Sequence, residues 1–271
     1  MSLGCLSGRV RFIFSSVKVP ESEVVHTVIQ LHDVIKTYQS AQSEELVLDT
    51  VSLTITSGQC VGLVGQSGQG KSTLLRLING LVLPTSGDVI VHGRHIPLLD
   101  DEAMRRHRYQ TAMIFQNYTL VSNLNIRKNI GLPLKFMGSG VPQSIEAVAE
   151  LVGVQDKLDV FPAQLSGGEK QRVAIARALI TNPEILLCDE ITASLDDSTS
   201  LGILEVLHRI NQEFGTTIVF ASHKLSDVLY IADRVLVLHQ HRLVDDFSNP
   251  HKGRIGTASL NYPDYIREVL Q

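Results

Sequence analysis

The chain has 271 residues and a mass of 29.8 kDa, room for one large domain or two small ones. Hydrophobic residues make up 44% and charged residues 19%, so a largely disordered chain is excluded. A net charge of −4, aromatics at 5% and no tryptophan argue against a surface for duplex DNA or for stacking on nucleic-acid bases.

The cysteines favour a reducing compartment. They are Cys5, Cys60 and Cys188, and no two are spaced as CxxC, so neither a disulfide framework nor a zinc site is indicated. No apolar stretch approaches the roughly 18–20 residues of a membrane span. Residues 10–19 are broken by Arg11 and Lys18, and we interpret them as an extension and not a secretory signal. If membranes matter, a partner must supply the spans.

The first half of the chain is patterned like strands followed by one helix. Residues 1–27 show no clear period and are predicted to be an N-terminal extension. Residues 27–32 and 47–55 alternate like strands, and 60–64 form the short apolar run of a strand buried on both faces. A helix is predicted from Lys71 to about Asn79, where Gly80 can end it.

The second half contains an insertion and then a strand–helix rhythm. Residues 117–164 carry several prolines and a helical pattern over about 143–152, which predicts an inserted helical subdomain. The segments predicted after it are helix 167–181, strand 185–189, helix 197–214, strand 216–221, helix 225–232, strand 234–238 and a hairpin around 239–241. Strands alternating with helices indicate a parallel α/β sheet. We expect one domain over 28–247, followed by a tail over 248–271.

A glycine-rich segment lies between the strand at 60–64 and the following helix. Residues 65–72 fit G-x-x-x-x-G-K-[ST] in the strand–helix context that this motif requires. Backbone N–H groups of such a loop can hold phosphate oxygens. Lys71 would add a charge for the β- and γ-phosphates, Ser72 a hydroxyl for Mg²⁺, and Thr73 would reach the α-phosphate. The loop residues expected to contact the nucleotide are Gly65, Gln66, Ser67, Gly68, Gln69 and Gly70.

Three polar residues follow two later strands. Asp189 and Glu190 end the apolar run that starts at Ile185, and His223 follows the strand predicted at 216–221. The carboxyl ends of parallel strands meet at one edge of a sheet, where ligands bind. We therefore expect Asp189 to face the Mg²⁺ held by Ser72, Glu190 to polarise an attacking water, and His223 to contact a γ-phosphate.

A second helix start is also suited to an anion. Ser166 and Glu169 fit the S-x-x-E capping box, which would be a purely structural role. A capping box does not need Gly167 and Gly168, however, and with Ser166 they make a flat surface rich in N–H groups. Two phosphate-binding helix starts in one chain suggest that each serves a different nucleotide.

Taken together, these motifs resemble the nucleotide-binding subunit of ABC transporters. The segments that carry the resemblance, in family order, are 65–73 (Walker A), Gln116 (Q-loop), 165–172 (signature), 185–189 (Walker B), Glu190 (catalytic base), 194–196 (D-loop) and His223 (switch histidine). Tyr38 matches the aromatic residue that stacks on adenine. The resemblance covers roughly residues 28–247.

The resemblance implies a fold, a reaction and partners. The fold is a P-loop nucleoside-triphosphatase core with a parallel sheet, an N-terminal antiparallel β subdomain and an inserted helical subdomain. The reaction is ATP hydrolysis with Mg²⁺, in which Gln116 joins Ser72 and Asp189 at the metal. The partners are a second copy, whose signature binds the γ-phosphate in a nucleotide sandwich, and multi-spanning permease subunits with a substrate-binding protein. The subunit would lie on the cytoplasmic face of the membrane, and no nucleic acid is expected.

Within the family, the phrases at 113–116, 131–134, 172–179 and 186–190 are most similar to methionine-importer ATPases. ATPases of lipoprotein-releasing and cell-division complexes share parts of them and remain an alternative. Soluble ABC ATPases that act without a transporter, and nucleotide-binding regulators without turnover, are two further readings; Glu190 opposes the second. Residues 248–271 are expected to be too short to form the C-terminal sensor domain that methionine-importer ATPases often carry.

Overall fold

The computed structural model describes residues 26–39, 43–137, 143–250 and 252. The N-terminal extension, except for its last two residues, and most of the tail lie outside this range. The strands within it are β1 (Thr27–Gln39), β2 (Glu44–Thr56), β3 (Cys60–Val64), β4 (Ser86–Val91), β5 (Arg94–His95), β6 (Thr111–Ile114), β7 (Ile185–Asp189), β8 (Thr217–Ser222), β9 (Arg234–His239) and β10 (Arg242–Ser248). The helices are α1 (Lys71–Ile78), α2 (Asp101–Gln110), α3 (Ile126–Ile130), α4 (Ile145–Val152), α5 (Gly167–Leu179), α6 (Asp197–Phe214) and α7 (Leu225–Ile231).

A six-stranded sheet forms the centre of the domain, in the order β10-β9-β3-β8-β7-β6. Its strands β9, β3, β8, β7 and β6 run parallel, and β10 is antiparallel to β9. Every residue of β3, β7 and β8 is buried, which explains why these strands appear in the sequence as unbroken apolar runs. The carboxyl ends of the parallel strands share one edge, as the α/β pattern predicts.

A four-stranded antiparallel sheet, in the order β2-β1-β4-β5, packs on this core. Ile29 and Leu31 of β1 pair with Ile55 and Leu53 of β2, and all four side chains are buried. They form one hydrophobic cluster with α1 and with alternate residues of β3, β7 and β8. This arrangement confirms the predicted P-loop fold class with an antiparallel β subdomain.

The other face of the central sheet is covered by α5, α6 and α7, which share a second hydrophobic cluster with α3 and α4. Gly62 of β3 lies directly under α7, because a Cβ atom there would meet Val228 Cγ1 at 2.0 Å. Cys60 and Cys188 belong to this cluster and are at most 1% exposed. Burial raises the pKa of the Cys60 thiol to about 12.

The ends of two helices differ from those predicted from the sequence. The helix expected from about 143 begins at Ile145, because the Ser144 hydroxyl accepts the N–H of Ala147 as the N-cap. The helix expected to reach 181 ends at Leu179, where Asn182 takes a left-handed φ of 52° and its N–H bonds the Leu179 carbonyl. The predicted terminal hairpin is present, with Gln240 and His241 in the left-handed region at its tip.

The segment between β6 and α5 contains α3, α4 and short 3-10 turns, so the structure has helices but no strand in the described part of 117–164. In the loop between β6 and α3, the Asn129 side chain bonds the backbone of Val121 and the carbonyls of Leu124 and Asn125. Among the described residues, no helix combines the length and the apolar character needed to cross a membrane.

Candidate active site at the carboxyl edge of the central sheet

The loop from Gly65 to Gly70 joins β3 to α1, and two of its glycines are required by close contacts. A Cβ atom on Gly65 would lie 2.4 Å from the Leu238 carbonyl oxygen, and one on Gly70 would lie 2.5 Å from the Val47 carbonyl oxygen. Gly70 also has φ 99°, which side chains rarely adopt. The neighbouring β2 and β9 therefore leave no room for a side chain at either position, and only glycine lets the loop pass this close to them.

Lys71 is the first residue of α1 and is only 4% exposed. Its Nζ donates to the carbonyls of Gly65 (2.7 Å) and Gln66 (2.9 Å) and lies 3.2 Å from Glu190 Oε1. The ammonium group is thus held within the curl of the loop. A buried cation of this kind supplies a fixed positive charge at the point where an anionic ligand would enter.

Ser72 and Asp189 form the next pair. The Ser72 hydroxyl donates to Asp189 Oδ1 at 2.7 Å, which joins the start of α1 to the end of β7. Burial raises the pKa of the Asp189 carboxyl, although the Ser72 bond and the charges of Arg76 and Lys71 oppose this shift. A hydroxyl beside a carboxylate is the hard oxygen donor set that Mg²⁺ prefers.

Glu190 follows Asp189 and turns away from it, because it takes a left-handed φ of 50°. Its N–H bonds the Ala221 carbonyl, and its Oε2 accepts a hydrogen bond from His223 Nδ1 at 2.8 Å. Burial raises the pKa of this carboxyl, but the bonds and charges of His223 and Lys71 outweigh burial and leave the pKa below its usual value. Glu190 is therefore ionised at neutral pH and can accept a proton.

The remaining residues expected at this site are arranged around it. Thr73 is buried one position after Ser72, whereas Ser67 and Gly68 are exposed at the loop tip. Gln69 Oε1 accepts the N–H of His241 from the tip of the terminal hairpin. Gln116 is exposed, two positions after the end of β6. Tyr38, near the end of β1, is 37% exposed, and the Lys36 ammonium lies 4.8 Å from its ring centroid.

The second predicted anion site stands at the start of α5. Ser166 and Glu169 form a complete capping box: Ser166 Oγ accepts the N–H of Glu169, and Glu169 Oε2 accepts the N–H of Ser166 at 2.8 Å. The two glycines also have a packing reason that the sequence reading missed. A Cβ atom on Gly168 would meet Thr199 Cγ2 of α6 at 2.4 Å, and one on Gly167 would lie 3.1 Å from the Tyr118 hydroxyl. Ser166 itself is exposed.

The sequence reading also missed residues that support these two helix starts. The N–H of His241 donates to Gln69 in the loop from Gly65 to Gly70 across 172 positions of sequence, and no local pattern could have indicated that. Arg177 donates to the segment just after Gln116. A signal for Arg177 was available, since it is a charged residue within the apolar run of α5.

The geometry defines a class of protein: a P-loop nucleoside triphosphatase with paired acids and a histidine at the sheet edge. Residues 48–193 match the family model described as ABC transporter. The chain belongs to the ABC transporter family and is one of its ATPases.

Curated relatives and a solved structure show the same likeness. The methionine import ATP-binding protein MetN of Corynebacterium jeikeium is 42% identical over 259 residues, which cover 90% of this chain and 70% of the relative. MetN of Latilactobacillus sakei is 45% identical over 222 residues, covering 81% and 64% respectively. The dimeric post-hydrolysis state of the ATP-binding cassette MJ0796, bound to ADP and Pi, superposes with a TM-score of 0.74 at 32% identity, covering 81% of this chain and 98% of that one.

Proposed function

We propose that the chain hydrolyses ATP to drive an ABC importer of the methionine type. The observation that carries the reaction is the position of Glu190, which contacts Lys71 on one side and His223 on the other, next to the Ser72–Asp189 pair. The names of the relatives described above support methionine as the cargo.

ATP binds by its phosphates in the loop from Gly65 to Gly70. On binding, Lys71 is proposed to exchange its bonds with the loop carbonyls for bonds with the β- and γ-phosphate oxygens, and Thr73 is proposed to bond the α-phosphate. Tyr38, which is 37% exposed, is the proposed stacking partner of the adenine. The donor set of Ser72, Asp189 and Gln116 suits Mg²⁺, which when bound neutralises charge that develops on the phosphate oxygens.

Glu190 is the general base of this proposal. It accepts a proton from the water that attacks the γ-phosphorus, while the bond from that phosphorus to the β–γ bridging oxygen breaks and ADP leaves. His223 holds the Glu190 carboxylate through the 2.8 Å bond and, with its other ring nitrogen, can reach toward the γ-phosphate.

A second copy of the chain completes each site. At the start of α5, Ser166 is exposed, Gly167 is half-buried and Gly168 is buried. These three residues are proposed to bind, through their N–H groups and the Ser166 hydroxyl, the γ-phosphate held by the partner, giving a homodimer with two nucleotides between the copies. The dimeric cassette MJ0796 supports this arrangement. We further propose that the dimer lies on the cytoplasmic face of the membrane, bound to permease subunits and served by a substrate-binding protein.

The reaction is tested by measuring phosphate release from ATP by the purified chain and by its Lys71→Ala variant. The wild type should turn over ATP only with Mg²⁺, and the variant should not. The transport role is tested by purifying the chain from membranes of its native cell and identifying what accompanies it. The proposal is supported if a multi-spanning protein copurifies and makes ATP turnover respond to methionine. It is contradicted if the chain copurifies with ribosomes or nucleic acid and turns over ATP without any membrane protein.

A further inference from the structure

Arg177 is half-buried in the last turn of α5, and its guanidinium donates hydrogen bonds to the two adjacent residues Tyr118 and Thr119. Its guanidinium donates to the Thr119 carbonyl (2.9 Å), the Tyr118 carbonyl (2.9 Å) and the Thr119 hydroxyl (2.7 Å). Burying a guanidinium is unfavourable unless its donors are used, and burial lowers the pKa of Arg177. These bonds fix the backbone two and three positions after Gln116.

The segment that Arg177 holds is conformationally unusual. Thr119 has a φ of 50°, a left-handed conformation that is an outlier for a β-branched residue. Such a conformation persists only where surrounding contacts determine it, and it concentrates at functional positions. The two bonds that Arg177 donates to Thr119 are contacts of this kind.

Tyr118 extends this contact to two other parts of the proposed site. Its hydroxyl lies 3.3 Å from Ser194 Oγ, in the loop between Glu190 and α6. The same hydroxyl is 3.1 Å from where a Cβ atom on Gly167 would lie, so it packs directly on the start of α5. One tyrosine therefore contacts both the helix start proposed to bind the partner's nucleotide and the loop that follows the proposed base.

We propose that Arg177, Thr119 and Tyr118 form a brace that fixes the start of α5 and the Ser194 loop relative to Gln116. In this view Arg177 is a positioning residue: it touches no nucleotide, but it sets where Ser166 and Gly167 stand when a second copy closes over ATP. The inference rests on the proposed function, because it assigns Arg177 a part in the two-copy reaction. The fork of a guanidinium suits two adjacent carbonyls, which a lysine ammonium cannot bond in the same way.

The kinetic experiment compares Arg177→Lys with the wild type. The kcat for ATP should fall by about 10-fold to 100-fold, since a small misplacement of a reacting group has effects of this size. The KM for ATP should change by less than about twofold, because the phosphate loop that first binds ATP is untouched. Tyr118→Phe, which removes only the hydroxyl, should lower kcat by a smaller factor in the same pattern. A wild-type kcat in Arg177→Lys overturns the proposal.

Arg234→Met is the matched control for lost stability. Arg234 is also half-buried and donates to a carbonyl, that of Thr54, and to the Asp246 carboxylate, at the sheet edge formed by β9 and β10. Its loss should lower the melting temperature without lowering kcat per folded molecule. If Arg234→Met lowers kcat as much as Arg177→Lys, the effect is general destabilisation and the brace is wrong.

Amide hydrogen exchange without nucleotide tests the brace independently of ATP turnover. In Arg177→Lys and Tyr118→Phe, exchange should accelerate together in residues 117–120, 166–170 and 193–196. Acceleration confined to 117–120 overturns the proposal, whatever the kinetics show. A wild-type chain without ATP turnover would contradict the proposed function, and the exchange result would still decide whether the three segments are coupled.

Discussion

The two helix starts proposed to bind phosphate differ in where their partners come from. At the start of α1, Lys71 and Ser72 already contact Glu190 and Asp189, residues more than a hundred positions away in the same chain. At the start of α5, the Ser166 hydroxyl and N–H bond the nearby capping partner Glu169, and Ser166 remains exposed. The start of α1 is therefore joined to distant residues of the same chain, whereas the Ser166 side chain bonds a residue of its own helix and stays accessible to a second copy.

The largest effect on ATP turnover is expected from a change at Glu190, which contacts both Lys71 and His223. Glu190→Gln keeps the size of the side chain but removes its charge, so ATP turnover should fall by about 10²–10⁴-fold while ATP binding persists. With ATP and little free Mg²⁺, gel filtration of the variant should show a dimer where the wild type shows mainly monomer.

The matched control for this change is Glu184→Gln, an exposed glutamate just before β7 whose carboxylate is 61% exposed and faces His92. It should keep the wild-type turnover. Near-wild-type turnover in Glu190→Gln would instead remove Glu190 as the base and make His223 the next candidate.

The α5 site is tested by mixing two defective chains. Lys71→Ala and Ser166→Arg should each be inactive as homodimers. In a mixed dimer one site carries both defects and the other is intact, so an equal mixture should recover at most about a quarter of the wild-type rate. Ser166→Ala is the control, because it removes the helix cap, at a cost of about 1 kcal/mol in stability, but leaves room for the phosphate.

Full turnover by Ser166→Arg alone would show that α5 contributes nothing to the partner's site. Absence of any recovery in the mixture, with mixed dimers shown to form, would mean that each site of the mixed dimer carries one defect, so that Lys71 and Ser166 of one chain serve the same nucleotide.

The far end of α1 should make stability depend on pH. His107 of α2 is 1% exposed, and its Nε2 donates to the Ile78 carbonyl at 2.9 Å. Burial lowers the pKa of His107 to about 4. The bond to Ile78 opposes this shift, and the charges of His92, Arg108 and Arg94 add to it. In the unfolded chain His107 binds a proton near pH 6.5, whereas in the folded chain it does so only near pH 4. The free energy of unfolding should therefore fall as the pH drops from 6.5 to 4, by up to about 3 kcal/mol.

Urea unfolding at pH 4.5 and pH 7 measures this effect. His107→Gln keeps an N–H donor without the titration, and the difference in unfolding free energy between the two pH values should shrink accordingly. His32→Gln, at an exposed histidine of β1, should leave the difference unchanged. A pH dependence identical in His107→Gln and wild type would show that other groups account for the acid sensitivity.

The smallest effect concerns how α5 is seated on α6. Gly168→Ala would place a methyl group 2.4 Å from Thr199 Cγ2, and overpacking of this kind costs about 1–3 kcal/mol. Adding Thr199→Ser removes that methyl group but keeps the hydroxyl that donates to Asp196, so the double variant should regain most of the loss. Thermal unfolding of the single and double variants measures the recovery. Equal stability of Gly168→Ala and the double variant would contradict the packing explanation.

The sequence by itself determined the central sheet and which side chains meet at the start of α1. Strands such as β3 and β7 are buried on both faces, so they must be unbroken apolar runs, and the residues that follow them must lie at one edge of a parallel sheet. Lys71, Ser72, Asp189, Glu190 and His223 could be found in this way because each has a local signal, either a glycine-rich loop or a strand end.

Only the tertiary structure decided how these parts are held. The close packing of Gly168 on Thr199, the bond from His241 to Gln69 and the bonds from Arg177 to Tyr118 and Thr119 each join segments distant in sequence. Such contacts depend on which faces of two elements meet, and periodicity within one element does not contain that information. The sequence indicated Gly168 as part of an N–H-rich surface for an anion, and only its neighbour Thr199 on α6 shows that packing also excludes a side chain at this position.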